Sequence, residues 1–338
     1  SGVIRTMREL CFFIVIPILI VACENIREKP ANIIAKNDSV VLPPNAIPII
    51  YNGYVHINGK VDNIEGSFLL DIGADWFFID SIFHYSNRKG KFNYKSGSLS
   101  GIGNSVIHVS EIKDSIGLSV GNMSYRTANV SVIDMKSIGG DRIDGLIGTD
   151  FFVNRVLEIN YTEEIVRVYN DIDSADLTGY MQVPAKYKGS YYCIPLEVKI
   201  NESLTIKGDF ILDTGSPAST ISSSVASKNA LDRRVHDKIK YYTKYGGIGG
   251  ESAGYDFLAQ SLKIADFCLE NPILSFSIDT SGLLADDEYM GIIGNNILDR
   301  FDIIFDFRNS NLYLRPADNY KTPFVLDKFG FLYVERCK

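Results

Sequence analysis

A chain of 338 residues has room for about two domains at ~150 residues each. Hydrophobic residues make up 46% and charged residues 22%, which excludes a wholly disordered, collagen-like or coiled-coil chain. The net charge of -7 repels phosphate backbones, so nucleic acid is not an expected partner.

The N-terminal stretch reads as a targeting segment. Met7-Arg8-Glu9 precedes an apolar run from Leu10 to Val21 that contains Pro17 and is too short for an ordinary membrane span. It has the length of a signal-peptide core with a minimal basic flank. The run closes on Ile20-Val21-Ala22-Cys23, which resembles a bacterial lipobox, with Cys23 as the lipid attachment site. Residues 1–23 are therefore expected to be a signal peptide, and 24–47 a polar tether ending in Leu42-Pro43-Pro44-Asn45. The expected location is extracytoplasmic, on the bacterial envelope, held to the membrane through an N-terminal lipid.

The remainder is a sequence written twice. Phe68 to Ala74 matches Phe210 to Ser216 at an offset of 142. Gly101-Ile102-Gly103 matches Gly247-Ile248-Gly249, Gly145 to Gly148 matches Gly291 to Gly294, and Leu157 to Tyr161 matches Ile303 to Phe307, all at an offset of 146. Blocks repeated in the same order at so long a period mean two duplicated domains, read here as 48–170 and 190–316. Residues 171–189 are polar and read as the linker; 317–338 form a tail with a last strand at Gly330 to Val334.

Within each half the patterning is that of strands. Tyr54 to Lys60 alternates and contains Asn58-Gly59, a hairpin signal. Leu196 to Asn201 alternates similarly. The runs before Asp71 and Asp213 are continuously apolar, as in buried strands. Val153–Val168 and Asp302–Leu314 each read as a hairpin, and short helices are expected at Thr149–Phe152 and Asn295–Leu298. The many Gly, Tyr and Phe residues agree with an all-β chain carrying few helices.

Five Cys and four His are scattered, with no Cys-x-x-Cys or His-Glu-x-x-His, so no metal and no cofactor is expected. His56, His84, His108 and His236 read as strand or surface residues. Gly97-Ser98-Leu99-Ser100-Gly101 fails a nucleophile-elbow pattern at its centre, which disfavours a serine hydrolase. Asp171 to Asp176 lacks the Gly and the terminal Glu of a calcium loop, and Asp286-Asp287-Glu288 reads as a solvated turn. Trp76 reads as core or as pocket lining.

The chemistry lies in the repeated apolar-apolar-Asp-x-Gly-small element. A carboxylate at the end of a buried strand is costly unless paired or used. Gly73 and Gly215 permit tight turns with close backbone approach. Two such loops meeting across a pseudo-two-fold axis would bring Asp71 and Asp213 face to face with one proton between them. One carboxylate could then act as general base on a water and the other as acid.

Leu69-Leu70-Asp71-Ile72-Gly73-Ala74-Asp75 and Ile211-Leu212-Asp213-Thr214-Gly215-Ser216 resemble the active-site loops of aspartic peptidases. Leu146-Ile147-Gly148 and Ile292-Ile293-Gly294-Asn295-Asn296 resemble that fold's second, aliphatic-Gly element, which backs the catalytic loop. The loop at Asp71 and the Gly clusters resemble the retroviral type more than pepsin. The resemblance implies a two-lobed fold of duplicated retropepsin-like domains in one monomeric chain, acting on peptides or unfolded protein. It makes Asp71 and Asp213 catalytic, with Gly73, Thr214, Gly215 and Ser216 supporting the loops. It also implies flap tips at Gly101 and Gly103 in one half and Gly247 and Gly249 in the other. One position departs: the family has Thr or Ser after the catalytic Asp, its hydroxyl bonding across the axis. Thr214 fits and Ile72 does not, so half of that clasp is expected to be missing. The alternative function is a degenerate module on the same scaffold that binds peptide or protein without cutting it.

Overall fold

The computed structural model describes residues 45–87, 92–99, 101, 106–136, 143–243, 247–248 and 250–326. The targeting segment with Cys23, nearly all of the tether, Gly103, Gly249 and the expected strand at Gly330 to Val334 lie outside the described residues.

Strands dominate, joined by short helices at Ser81–Asn87, Ser223–Lys228, Leu231–Arg234 and Asn295–Leu298. The two halves are joined by a six-stranded antiparallel sheet. Its order is Met181–Val183, Asn311–Pro316, Phe301–Asp306, Val156–Asn160, Ile165–Tyr169, Ile47–Tyr51. The central pair consists of repeat-equivalent strands, and Glu158 lies opposite Ile304, residues one repeat apart. An antiparallel pairing of equivalents puts the pseudo-two-fold axis through that point. The expected hairpins at 153–168 and 302–314 are the strands that build this sheet.

Each half then repeats one arrangement. In the first, Ile64–Leu70 runs parallel to Gly145–Ile147, which runs antiparallel to Phe77–Asp80. In the second, Leu204–Leu212 runs parallel to Gly291–Ile293, which runs antiparallel to Thr220–Ile221. The apolar runs before each Asp are continuous because both strand faces are covered. Phe68 and Leu70 enter the main core while Leu69 faces a separate cluster with Phe78, Val109 and Leu146. Phe210 and Leu212 enter the main core while Ile211 packs with Cys193 and Tyr289. The alternation of a half-exposed strand is absent because neither face meets water.

Two readings of local sequence change. The hairpin turn is at Asp62-Asn63, both with positive φ (45° and 70°), and not at Asn58-Gly59. Asp and Asn tolerate the left-handed region that a two-residue hairpin turn demands. Gly59 instead sits inside the strand Val55–Val61, where a Cβ would lie 2.8 Å from the Ser119 carbonyl oxygen. Its absence of a side chain serves packing. The segment 171–189 contains structure of its own: a 3-10 turn at Ile172–Ser174, the sheet strand Met181–Val183, and Lys186–Lys188 paired with the start of Tyr191–Asn201. Asp171 caps that turn by accepting from the Ser174 N–H and hydroxyl.

Candidate active site

Both aspartates sit where a buried strand ends in a turn held by backbone hydrogen bonds. The Asp71 N–H donates to Ile147 C=O and the Asp213 N–H to Ile293 C=O, both at 3.0 Å. Each turn folds its carboxylate back over its own backbone. Gly73 N–H donates to Asp71 Oδ1 at 2.7 Å, and Gly215 N–H to Asp213 Oδ1 at 2.8 Å. The aliphatic-Gly elements back the loops: Thr149 N–H donates to Ala74 C=O and Asn295 N–H to Ser216 C=O. Ser216 spends its hydroxyl on Ala218 C=O, within its own loop.

The loops meet reciprocally. A Cβ on Gly73 would lie 2.5 Å from the Asp213 carboxyl carbon, and one on Gly215 would lie 2.3 Å from that of Asp71. Neither glycine has a positive φ, so close approach to the opposite carboxyl, and not backbone conformation, is what excludes a side chain there. The two carboxyl groups hydrogen-bond each other.

Burial, then the charge of Asp213, then that shared hydrogen bond hold the Asp71 carboxyl well above the usual range; the Gly73 and Ala74 N–H groups pull it back only partly. Burial also raises Asp213, offset by hydrogen bonds from Asp71 and from the Gly215 and Ser216 N–H groups. The pair therefore keeps one proton, shared between Asp71 and Asp213, under conditions in which a free carboxyl has lost its own.

Thr214 makes the cross-loop clasp. Its Oγ1 accepts from the Ile72 N–H at 3.0 Å and donates to Leu70 C=O at 2.8 Å. Ile72 returns neither bond; its side chain is 1% exposed and packs into the main core. Replacing Thr214 with Val keeps the shape but strands a buried N–H and a carbonyl. Thr214→Val is expected to lower stability by roughly 1–3 kcal/mol, read from the urea midpoint.

Each half sends out one hairpin toward the other. Tyr94–Leu99 pairs with Ile107–Ile112, and Lys238–Thr243 with Ser252–Leu258, so Gly101 and Gly247 fall at hairpin tips. The tips touch: a Cβ on Gly101 would lie 2.4 Å from the Ile248 carbonyl oxygen. Gly101 C=O also accepts from the Leu283 N–H at 2.9 Å. The hairpin ends form part of an apolar wall. Tyr54, Ala74, Trp76, Leu99, Ile107 and Ile248 pack on the cluster of Leu69, Phe78 and Leu146. Trp76 stacks on Phe78 with centroids 6.3 Å apart.

Several neighbours carry no motif signal. Burial raises the Asp75 carboxyl, and the nearby Ser190, at the turn of the 186–193 hairpin, pulls it back down. Burial, then the charges of Asp75, Asp213 and Asp71 raise the Tyr191 phenol, whose ring packs edge-on against Tyr289. Among the described residues no group of three or more His, Cys, Asp or Glu could hold a metal, and Cys193 and Cys268 are free thiols.

Residues 196–297 match the family model described as aspartyl protease. A solved structure, the crystal structure of aspartic proteinase from Irpex lacteus, superposes with a TM-score of 0.54 at 16% identity. The match covers 82% of this chain and 98% of that one. The chain has the aspartic proteinase fold. No curated protein matches the sequence. The family model takes in Asp213 and the whole second aliphatic-Gly element, and the structural match spans both lobes. Together they support an aspartic peptidase family and a protease of the general aspartic kind.

Proposed function

We propose that this chain is an aspartic endopeptidase that hydrolyses extended peptides between its two lobes. The reading rests above all on the reciprocal seating of the two Asp-x-Gly loops, in which each glycine lies against the opposite carboxyl. A water bound between the carboxyls loses a proton to the ionised member of the Asp71–Asp213 pair and attacks the scissile carbonyl carbon. The protonated member donates its proton to the carbonyl oxygen as the tetrahedral intermediate forms. On collapse the C–N bond breaks, the carboxyl that took the water's proton passes it to the leaving amine nitrogen, and the other carboxylate takes a hydroxyl proton from the intermediate, so the dyad is left with one proton as before. The apolar wall at Trp76, Leu99 and Ile107 favours apolar side chains beside the cleaved bond. The touching hairpin tips must part for substrate to enter. The lipobox-like run at Cys23 supports a protein anchored at the outer side of a bacterial membrane, facing peptides or unfolded chains there.

The observation that favours the alternative, a binding module without activity, is Ile72, which leaves the clasp single. Incubation of the purified chain with an unfolded protein from acid to neutral pH separates the two. New peptide N-termini that accumulate with time are expected. An intact substrate at every pH removes the enzyme reading.

A further inference from the structure

The Asp213 loop is the one that loses a tie at Ile72. A hydroxyl at position 72 would have reached across the axis to the backbone beside Thr214. A loop fixed less firmly than its partner lets the dyad drift, and reacting groups tolerate little misplacement.

That loop is held from another direction. Asn295 opens the short helix behind it and is 0% exposed. Its Nδ2 donates to Thr214 C=O at 2.8 Å and to Gly53 C=O, also at 2.8 Å. Gly53 belongs to the first half, in the turn between Ile47–Tyr51 and Val55–Val61, at φ 92°. Tyr161, again from the first half, donates its hydroxyl to Asn295 Oδ1 at 2.9 Å. Both amide protons and the amide oxygen are thus engaged, two of the three contacts crossing between halves.

The repeat supplies an internal comparison. One repeat earlier the residue is Thr149, whose hydroxyl reaches Ala74 C=O at 3.2 Å and Asp75 C=O at 3.4 Å, inside its own half. The cross-half brace is therefore built on one side of the pseudo-two-fold axis. It is the side whose partner loop carries Ile in place of a hydroxyl residue.

We propose that Asn295 is a positioning residue of the dyad, its carboxamide tying the Asp213 loop to the first half in place of the hydroxyl that Ile72 lacks. The kinetic part of this proposal rests on the peptidase reading; the stability part stands without it. A cycle of four full-length proteins tests both: the parent, Asn295→Thr, Ile72→Thr and the double variant. Threonine at 295 copies the first half and is too short to span to Gly53. Each protein is measured for kcat and KM on one peptide and for its urea midpoint.

In the parent background, Asn295→Thr is expected to lower kcat on the order of 10- to 100-fold while KM moves less than about threefold. In the Ile72→Thr background, the same substitution is expected to cost less than about threefold, because the second clasp now holds the loop. The midpoint should show the same dependence on background. Equal losses in both backgrounds, in kcat and in midpoint, would overturn the proposal. If no member of the set cleaves, the catalytic reading fails and the midpoints alone decide the brace by the same criterion. If Asn295→Thr does not fold in the parent background, the cycle is run with Tyr161→Phe, which removes a single O–H. A background-dependent loss supports the brace, and a background-independent one overturns it.

Discussion

Asp71→Asn and Asp213→Asn are each expected to lower kcat by about 10²–10⁴-fold, the range of a lost general acid or base, with KM little changed. An amide can neither take a proton from water nor deliver one to a carbonyl oxygen. The same substitutions should not cost stability at neutral pH, and each should raise it, because both carboxyls are held above 3.8 in the folded chain. The Asp71 carboxyl is held well above 3.8 in the folded chain, by burial first and by Asp213 next. Below about pH 4 the folded and unfolded forms are both protonated, so no penalty exists. As pH rises past 3.8 the unfolded chain releases this proton while the folded chain keeps it. The folded state then loses about 1.4 kcal/mol per pH unit until the folded pKa is passed. Asparagine does not titrate, so the gap between variant and parent opens from about pH 4 upward. Urea midpoints across that range measure it, and a gap that closes with rising pH would contradict the burial of the pair.

Gly215→Ala and Gly73→Ala form the second large effect. The added carbon would stand 2.3 Å or 2.5 Å from the opposite carboxyl carbon, against the ~3.5–4.0 Å that carbon atoms need. The loops must separate by more than about an ångström, and a shift of that size costs on the order of 10²-fold in rate. The fold survives because the strain is local, with roughly 1–3 kcal/mol of overpacking. Each variant should therefore melt somewhat earlier yet lose nearly all turnover. A melting point and a kcat both equal to the parent's would show that the loops do not meet as described.

How much of this could be read from the chain alone follows from what duplication encodes. Asp71 and Asp213 stand out because two seven-residue blocks match at Phe, Leu, Asp and Gly, and the aliphatic-Gly blocks follow each at nearly equal spacing. Burial on both faces explains why the strands before them are continuously apolar, so strand and site emerge together. Thr214 and Ile72 were legible as an asymmetry by direct comparison of the halves. The brace at Asn295 was not. Its partners Gly53 and Tyr161 lie 242 and 134 residues away, and no periodicity links them. The only trace is that the position one repeat earlier holds Thr149. The strand Lys186–Lys188 was hidden for a related reason: the polar segment 171–189 reads as a linker until its end is seen to pair with the start of Tyr191–Asn201. The turn at Asp62-Asn63 lost out to Asn58-Gly59 because a glycine needed for packing mimics one needed for a turn.

The claim on which the mechanism depends is one proton shared by two carboxyls. The pH dependence of kcat/KM on a peptide without ionisable side chains measures it most directly. The account predicts a two-limbed profile: activity rises as the first proton leaves the pair and falls as the second leaves, the falling limb lying well above an ordinary carboxyl. A rate that climbs on one limb and stays level into alkaline solution would mean a single base at work, and would contradict it.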